Sequence, residues 1–130
     1  MNKKQIGFLG EKIALSYLEK KGYKILERNY FSKNISGPLE GEIDIIAKKK
    51  EVFYFVEVKT LIQKQKTKSL AFFPEEKINN QKLKKIRKTG EGWLMKNKIP
   101  LSTPCQIDIL AIVISPDFKK AIIRHFENIA

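Results

Sequence analysis

The sequence is poor in cysteine and has no long apolar run. Cys105 is the only cysteine in 130 residues, so neither an internal disulfide nor a cysteine-based metal cluster can form. No segment approaches the roughly 20 consecutive apolar residues of a membrane span. Residues 1–5 lack the apolar core of a signal peptide. These absences predict a cytoplasmic protein with no membrane partner.

Acidic residues are also scarce relative to basic ones. The chain has 26 Lys and Arg against 14 Asp and Glu, which gives a formal net charge of +12. Such a balance favours a polyanionic partner, because neutralising phosphates releases condensed counterions. The length predicts one domain over residues 1–130. His125 is the single histidine, and without a partner histidine it is interpreted as a surface or hydrogen-bonded side chain.

Hydrophobic periodicity predicts seven elements in the order α-β-β-β-α-β-β. Apolar residues at helical spacing indicate helices, and short β-branched and aromatic runs indicate strands. Asn79 is the predicted N-cap of the second helix, whose apolar stripe includes Trp93. The predicted helices span residues 4–21 and 80–97, and the predicted strands span residues 23–29, 42–47, 52–59, 107–114 and 121–126. The fold class is therefore α/β (mixed α+β), a central mixed sheet flanked by helices.

The most informative motif is Glu57-x-Lys59, at the end of the apolar strand that begins at Val52. Residues two apart share one face of a strand, so a carboxylate and an ammonium lie side by side in an apolar setting. The chain contains two further Glu-x-Lys matches, Glu19-x-Lys21 and Glu75-x-Lys77. Those two lie in charged surroundings, and only the Glu57 motif follows an acidic strand.

That acidic strand carries Asp44 between two isoleucines, with Glu42 two residues earlier. Strands 42–47 and 52–59 read as an antiparallel hairpin. A connection with an even number of residues would place Glu42, Asp44, Glu57 and Lys59 on one face, whereas an odd one would scatter them.

This set of side chains is suited to a Mg²⁺ or Mn²⁺ ion beside a phosphate. Mg²⁺ prefers carboxylate, carbonyl and water oxygens. Asp44 and Glu57 are the predicted ligands, the Val58 carbonyl is a third, and Glu11 on the first helix reaches the metal directly or through water. Lys59 would orient the attacking water or neutralise charge in the transition state.

Several of these segments together resemble the YraN-like family of small predicted endonucleases. They are Gly10-Glu11, Arg28-Asn29, Gly41-Glu42-Ile43-Asp44, Phe55 to Thr60, Lys82, and Ile107-Asp108-Ile109. This family belongs to the restriction-endonuclease-like PD-(D/E)xK superfamily, and the chain is also similar to archaeal Holliday junction resolvases. The resemblance implies a restriction-endonuclease-like core, with Glu11, Asp44, Glu57 and Lys59 as the catalytic group.

Other interpretations of these residues stay open. Glu57 and Lys59 could form a structural ion pair, and Asp44 or Asp108 could be a hydrogen-bonded buried acid. Glu42 is interpreted as a solvated residue at a strand end. The protein could therefore be a nucleic-acid-binding module of the same fold that performs no hydrolysis.

The predicted partner is DNA, with branched or otherwise structured DNA suggested by the resemblance. Lys82, Lys84, Lys85 and Lys88 on the second helix, together with the stretch 64–69, are predicted to hold backbone phosphates. For Lys82, a contact with the active site and a solvated position stay open as well. A homodimer would suit a two-fold symmetric junction. The sequence therefore predicts a Mg²⁺-dependent endodeoxyribonuclease.

Overall fold

The computed structural model describes residues 1–32, 41–63 and 78–129, and in these ranges the predicted element order is confirmed. The basic stretch 64–69 and the Glu75-x-Lys77 motif lie outside the described residues. The elements are α1 (Lys3–Lys20), β1 (Lys24–Ser32), β2 (Gly41–Lys49), β3 (Val52–Ile62), α2 (Asn80–Lys96), β4 (Cys105–Ile114) and β5 (Ala121–Phe126).

The five strands form one mixed sheet in the order β1-β2-β3-β4-β5. β3 and β4 pair in parallel, and the other three neighbouring pairs are antiparallel. A parallel pair needs a crossover connection, and α2 lies in the segment between β3 and β4. The mixed α/β fold class is therefore confirmed.

Each face of the sheet carries one helix. On one face, Ala14 and Leu18 of α1 pack with Ile45, Val56 and Leu110. On the other face of the sheet, the apolar side of α2 packs on different residues of the same strands. The members of that second cluster are Ile43, Ile46, Phe53, Phe55, Ile86, Trp93, Leu94 and Ile107. Because β3 and β4 are covered on both faces, their sequences are almost continuously apolar.

Helix α1 begins at a capping box and approaches β3 very closely. The Asn2 side chain accepts a hydrogen bond from the Gln5 N–H, and the Gln5 side chain accepts one from the Asn2 N–H. Farther along, a Cβ atom on Gly10 would lie 1.8 Å from Thr60 Oγ1. Only glycine permits this approach, which brings the next residue, Glu11, to the C-terminal half of β3.

Helix α2 is held at its start and in its middle. Asn79 is the N-cap, as predicted, and its side chain accepts a hydrogen bond from the Lys82 N–H at 2.8 Å. A Cβ on Gly90 would lie 2.5 Å from the Phe55 ring, so this helix also packs tightly on β3. These two constraints direct the first turn of α2, including Lys82, toward the end of β3.

Strands β1, β2, β3 and β4 are longer than the sequence predicts. β1 extends to Ser32 because its last residues pair with the start of β2, where Phe31 lies opposite Glu42. β3 extends to Ile62, since each residue through Ile62 has a parallel partner on β4.

No helix in the described residues is long and apolar enough to cross a membrane.

Candidate active site

The β2–β3 hairpin has the even register, but its ladder stops where the acidic residues begin. Lys49 pairs with Val52 across a two-residue turn, and the last pair of the ladder is Ile45 with Val56. Beyond that point the Asp44 carboxylate accepts a hydrogen bond from the Val58 N–H at 2.8 Å. The N–H and C=O of a strand residue point toward the same neighbouring strand, so the Val58 carbonyl is directed to the Asp44 side.

Glu57 is a buried acid that contacts two lysines. Its side chain is 8% exposed, and its Oε1 atom lies 3.6 Å from Lys59 Nζ and 3.1 Å from Lys82 Nζ. Lys59 comes from the same strand, whereas Lys82 comes from the first turn of α2. A buried carboxylate needs such partners, because an unpaired charge in the interior is costly.

The acids of the site repel one another through their negative charges. Burial and the Glu57 carboxylate raise the pKa of Asp44 to about 7, although the Val58 N–H acts in the opposite direction. Burial also raises the pKa of Glu11, with Arg28 opposing the shift and Glu42 adding to it. A divalent cation would relieve this repulsion, because it stabilises the ionised form of every carboxylate around it.

The pKa values of Lys59 and Lys82 are shifted in opposite directions. Burial lowers the pKa of Lys59, with the neighbouring Lys82 ammonium adding to the effect and Glu57 opposing it. For Lys82, burial acts downward, but the Glu57 carboxylate outweighs it and the pKa is raised. Lys82 therefore holds its proton more strongly than Lys59 does, and it remains charged beside Glu57.

A cavity of about 350 Å³ opens beside this group, between α1 and the end of β3. Its residues include Glu11, Asp44, Val58 and Lys59, so four of the predicted site positions share one surface. The remaining lining residues are Lys3, Lys4, Ile6, Gly7, Phe8 and Thr60. The cavity is open to solvent and lined by both charged and apolar side chains, which suits a substrate larger than the cavity.

The donor chemistry of this site fits Mg²⁺ better than a softer metal. Mg²⁺ binds through one or two carboxylates and retains several waters, and Asp44, Glu57 and the Val58 carbonyl offer oxygen atoms alone. Glu11 does not form a tight group with Asp44 and Glu57, because the one set of three His, Cys, Asp or Glu side chains with ligand atoms within 4.8 Å of one another in the described ranges lies elsewhere. An interaction of Glu11 through water is consistent with this geometry.

That other cluster consists of Asp108, His125 and Glu127, whose ligand atoms could hold a metal ion. Asp108 is fully buried and accepts hydrogen bonds from the Gln106 side chain and the Asn128 N–H. His125 Nε2 lies 2.8 Å from Asp108 Oδ2, and its Nδ1 lies 3.0 Å from the Tyr17 hydroxyl. The predicted hydrogen-bonded roles of Asp108 and His125 agree with this network, but its partners are distant in sequence and could not be foreseen.

The predicted phosphate-binding lysines of α2 do not all point the same way. Lys84, Lys85 and Lys88 lie along the helix on its solvent side, as a phosphate-binding surface requires. Lys82 instead donates to Glu57, so the structure places it within the candidate site. The sequence does not distinguish Lys82 from the neighbouring lysines of the same helix.

Sequence comparisons identify the family. Residues 10–112 match the profile of the Uncharacterised protein family UPF0102. A UPF0102 protein from Lachnoclostridium phytofermentans is 40% identical over 113 residues, covering 87% of this chain and 86% of its own.

Two more relatives show the same extent of similarity. A UPF0102 protein from Campylobacter jejuni is 40% identical over 124 residues, covering 95% of this chain and 92% of its own. One from Caldanaerobacter subterraneus is 38% identical over 117 residues, covering 90% and 86%. The matched range includes Glu11, Asp44, Glu57, Lys59 and Lys82, and the chain belongs to the UPF0102 family.

Proposed function

We propose that the protein is a metal-dependent endonuclease that hydrolyses DNA phosphodiester bonds and has a restriction-endonuclease-like core. The observation that supports this most strongly is the convergence at the end of the β2–β3 ladder. There, Asp44 and Glu57 are close enough for the charge of one to raise the pKa of the other. Lys59 and Glu11 border the same cavity as Asp44.

In this proposal each side chain has a distinct task. Asp44, Glu57 and the Val58 carbonyl hold Mg²⁺ or Mn²⁺, which supplies charge neutralisation at the phosphate and activation of water. The Lys59 ammonium orients the attacking water or stabilises negative charge on the phosphate oxygens. Glu11 acts through a hydrogen-bonded water, and Lys82 holds the Glu57 carboxylate in position.

The rival function is nucleic-acid binding without hydrolysis. The Glu57 carboxylate already has two lysine partners, which is what a purely structural ion-pair cluster would show. That interpretation predicts salt-sensitive binding to DNA or RNA and no metal-dependent product. In that interpretation Asp44 is a hydrogen-bonded acid, satisfied by the Val58 N–H. A structural role does not require the Asp44 carboxylate to lie so near Glu57, whose negative charge raises its pKa, whereas a bound cation would stabilise both carboxylates.

A cleavage assay on labelled single-stranded, duplex, flap and four-way-junction DNA tests the proposal. Each substrate is incubated with Mg²⁺, Mn²⁺ or EDTA and with the wild-type, Glu57→Gln and Glu51→Gln proteins. Glu51 lies in the exposed β2–β3 turn, so its variant is a matched loss of one acid. We expect metal-dependent products that fall at least about a hundredfold in Glu57→Gln, since a metal ligand contributes several kcal/mol.

The outcomes separate the two functions. Glu57→Gln preserves the volume of the side chain, and circular dichroism establishes whether the variant is folded. Wild-type cleavage by folded Glu57→Gln would refute the assignment of the site. Binding on all four substrates without product in any metal would favour the non-catalytic function.

A further inference from the structure

An exposed aromatic ring borders the candidate site. Phe8 is 53% exposed, although it lies on a helix packed against the sheet. It precedes Glu11 by three residues, so the two side chains lie on the same side of α1. Both residues line the same cavity as Asp44 and Lys59. The ring is therefore presented to whatever occupies this cavity.

The core does not explain the position of this ring. The buried residues of α1 are Gly10, Ala14 and Leu18. Phe8 is not among the partly buried side chains that pack against the core under α1, which include Leu9. Its ring is thus available to contact a ligand, and removing it leaves the packing of the helix on the sheet intact.

The surroundings of Phe8 are basic on the solvent side. Lys3 and Lys4, in the first turn of α1, line the same cavity. The acids Glu11 and Asp44 lie farther along the cavity, where the metal would bind. Lysines beside an exposed aromatic ring form the usual surface for single-stranded nucleic acid, in which cations follow the phosphates and a base stacks on the ring.

A stacking ring also implies a particular class of DNA. In a continuous duplex both faces of each base are covered by neighbouring bases, and inserting a ring between two of them costs a few kcal/mol of unstacking. An unpaired base has a free face and avoids this cost. We propose that Phe8 stacks on an unpaired nucleobase next to the scissile phosphate, while Lys3 and Lys4 contact the flanking phosphates. The inference rests on the proposed nuclease function and narrows its substrate to DNA with unpaired nucleotides, such as flaps and open junctions.

Base stacking can be measured without cleavage. A flap DNA carries 2-aminopurine at the first unpaired nucleotide, and its fluorescence is followed during titration in EDTA. The proteins are wild type, Phe8→Ala, Phe8→Trp and Met95→Ala. Met95 is 65% exposed near the end of α2, so its variant is a matched loss of an exposed apolar side chain outside the cavity.

We expect wild type, Phe8→Trp and Met95→Ala to quench the fluorescence and to bind the flap more tightly than a blunt duplex. Phe8→Ala should lose the quenching and bind the flap between about fivefold and a hundredfold more weakly, the range for one stacked base. Its affinity for the blunt duplex should be unchanged.

Three results would overturn the inference: no quenching by the wild type, equal quenching by Phe8→Ala, or an equal loss of affinity for flap and duplex. The nuclease proposal fails separately. Quenching that depends on Phe8 with no cleavage in Mg²⁺ or Mn²⁺ would remove the nuclease function and retain a stacking surface. If Phe8→Ala cleaves as fast as wild type, and cleavage does not depend on unpaired bases, the stacking inference is refuted and the nuclease function is retained.

Discussion

At the level of single residues, the contact between Glu57 and Lys82 is the one on which the site depends most. Their contact joins the end of β3 to the first turn of α2, and it satisfies a carboxylate that is almost fully buried. Hydrogen bonds to charged groups contribute more to stability than neutral ones, and a buried partner left alone is costly. Lys82 is therefore expected to contribute to stability through its contact with Glu57.

Replacing Lys82 should test that role independently of any activity. We expect Lys82→Met to lower the free energy of unfolding by about 1–3 kcal/mol, because Glu57 loses its closer partner. Lys84→Met, at an exposed position of the same helix, should change it by less than about 0.5 kcal/mol. Urea unfolding measures both, and equal effects of the two variants would contradict the prediction.

Asp44 should make the stability depend on pH. Its pKa is about 7 in the folded protein, against 3.8 for an ordinary carboxyl. The folded state therefore binds more protons between these values, so stability falls as the pH rises through this window, by at most about 1.4 kcal/mol per pH unit.

The Asp44→Asn variant isolates this effect. The new amide can still accept the Val58 hydrogen bond but cannot ionise, so the variant should gain stability relative to wild type as the pH is raised from about 4 to about 8. Urea unfolding in EDTA at both values gives the comparison. A stability difference between the two proteins that stays constant with pH would show that Asp44 titrates normally.

Among helices and strands, the close packing of α1 on β3 places Glu11 at the site. Gly10→Ala should destabilise the protein by about 1–3 kcal/mol, because the new methyl group meets the Thr60 side chain and the helix must shift. Gly7→Ala is the matched control, since its methyl group meets nothing within 4 Å. It should be neutral or stabilising, because alanine favours the helix over glycine by up to about 1 kcal/mol.

Thermal unfolding of the two glycine variants measures this difference. If the proposed function holds, Gly10→Ala should also lose cleavage activity while folded, because Glu11 moves with the helix. Similar melting temperatures for Gly7→Ala and Gly10→Ala would mean that α1 does not approach β3 as closely as described.

For the protein as a unit, the excess of positive charge is expected to govern the DNA binding that we propose. Each phosphate contact contributes about 0.9 to the slope of log affinity against log salt on duplex DNA. The combined variant Lys84→Ala, Lys85→Ala, Lys88→Ala should therefore flatten the slope by up to about 2.7.

A second triple variant controls for net charge. Lys20, Lys119 and Lys120 are exposed outside α2, and their replacement by alanine removes the same charge. Fluorescence anisotropy at a series of salt concentrations compares the two. If both triple variants reduce the slope equally, the effect belongs to the total charge and α2 has no special role.

Much of the local structure can be predicted from the sequence. The two helices, the five strands and the Asn79 cap follow from periodicity and capping chemistry, which depend on residues close along the chain. The predicted bounds of β1 and β3 are too short, because their last residues are strand only by pairing with β2 and β4. The Glu57-x-Lys59 motif is likewise identifiable, since its unusual feature is two charges within an apolar strand.

The element order, the mixed α/β class and the concentration of acids near the open end of one hairpin follow from patterns in the sequence. The groups that meet there depend on the tertiary structure: Lys82 contacts Glu57, Gly10 lies against Thr60, and Phe8 lines the cavity. The tertiary structure also joins Asp108 to His125 and Tyr17. These contacts link residues far apart along the chain, and they arise when the two helices pack on opposite faces of the sheet, so no local pattern encodes them.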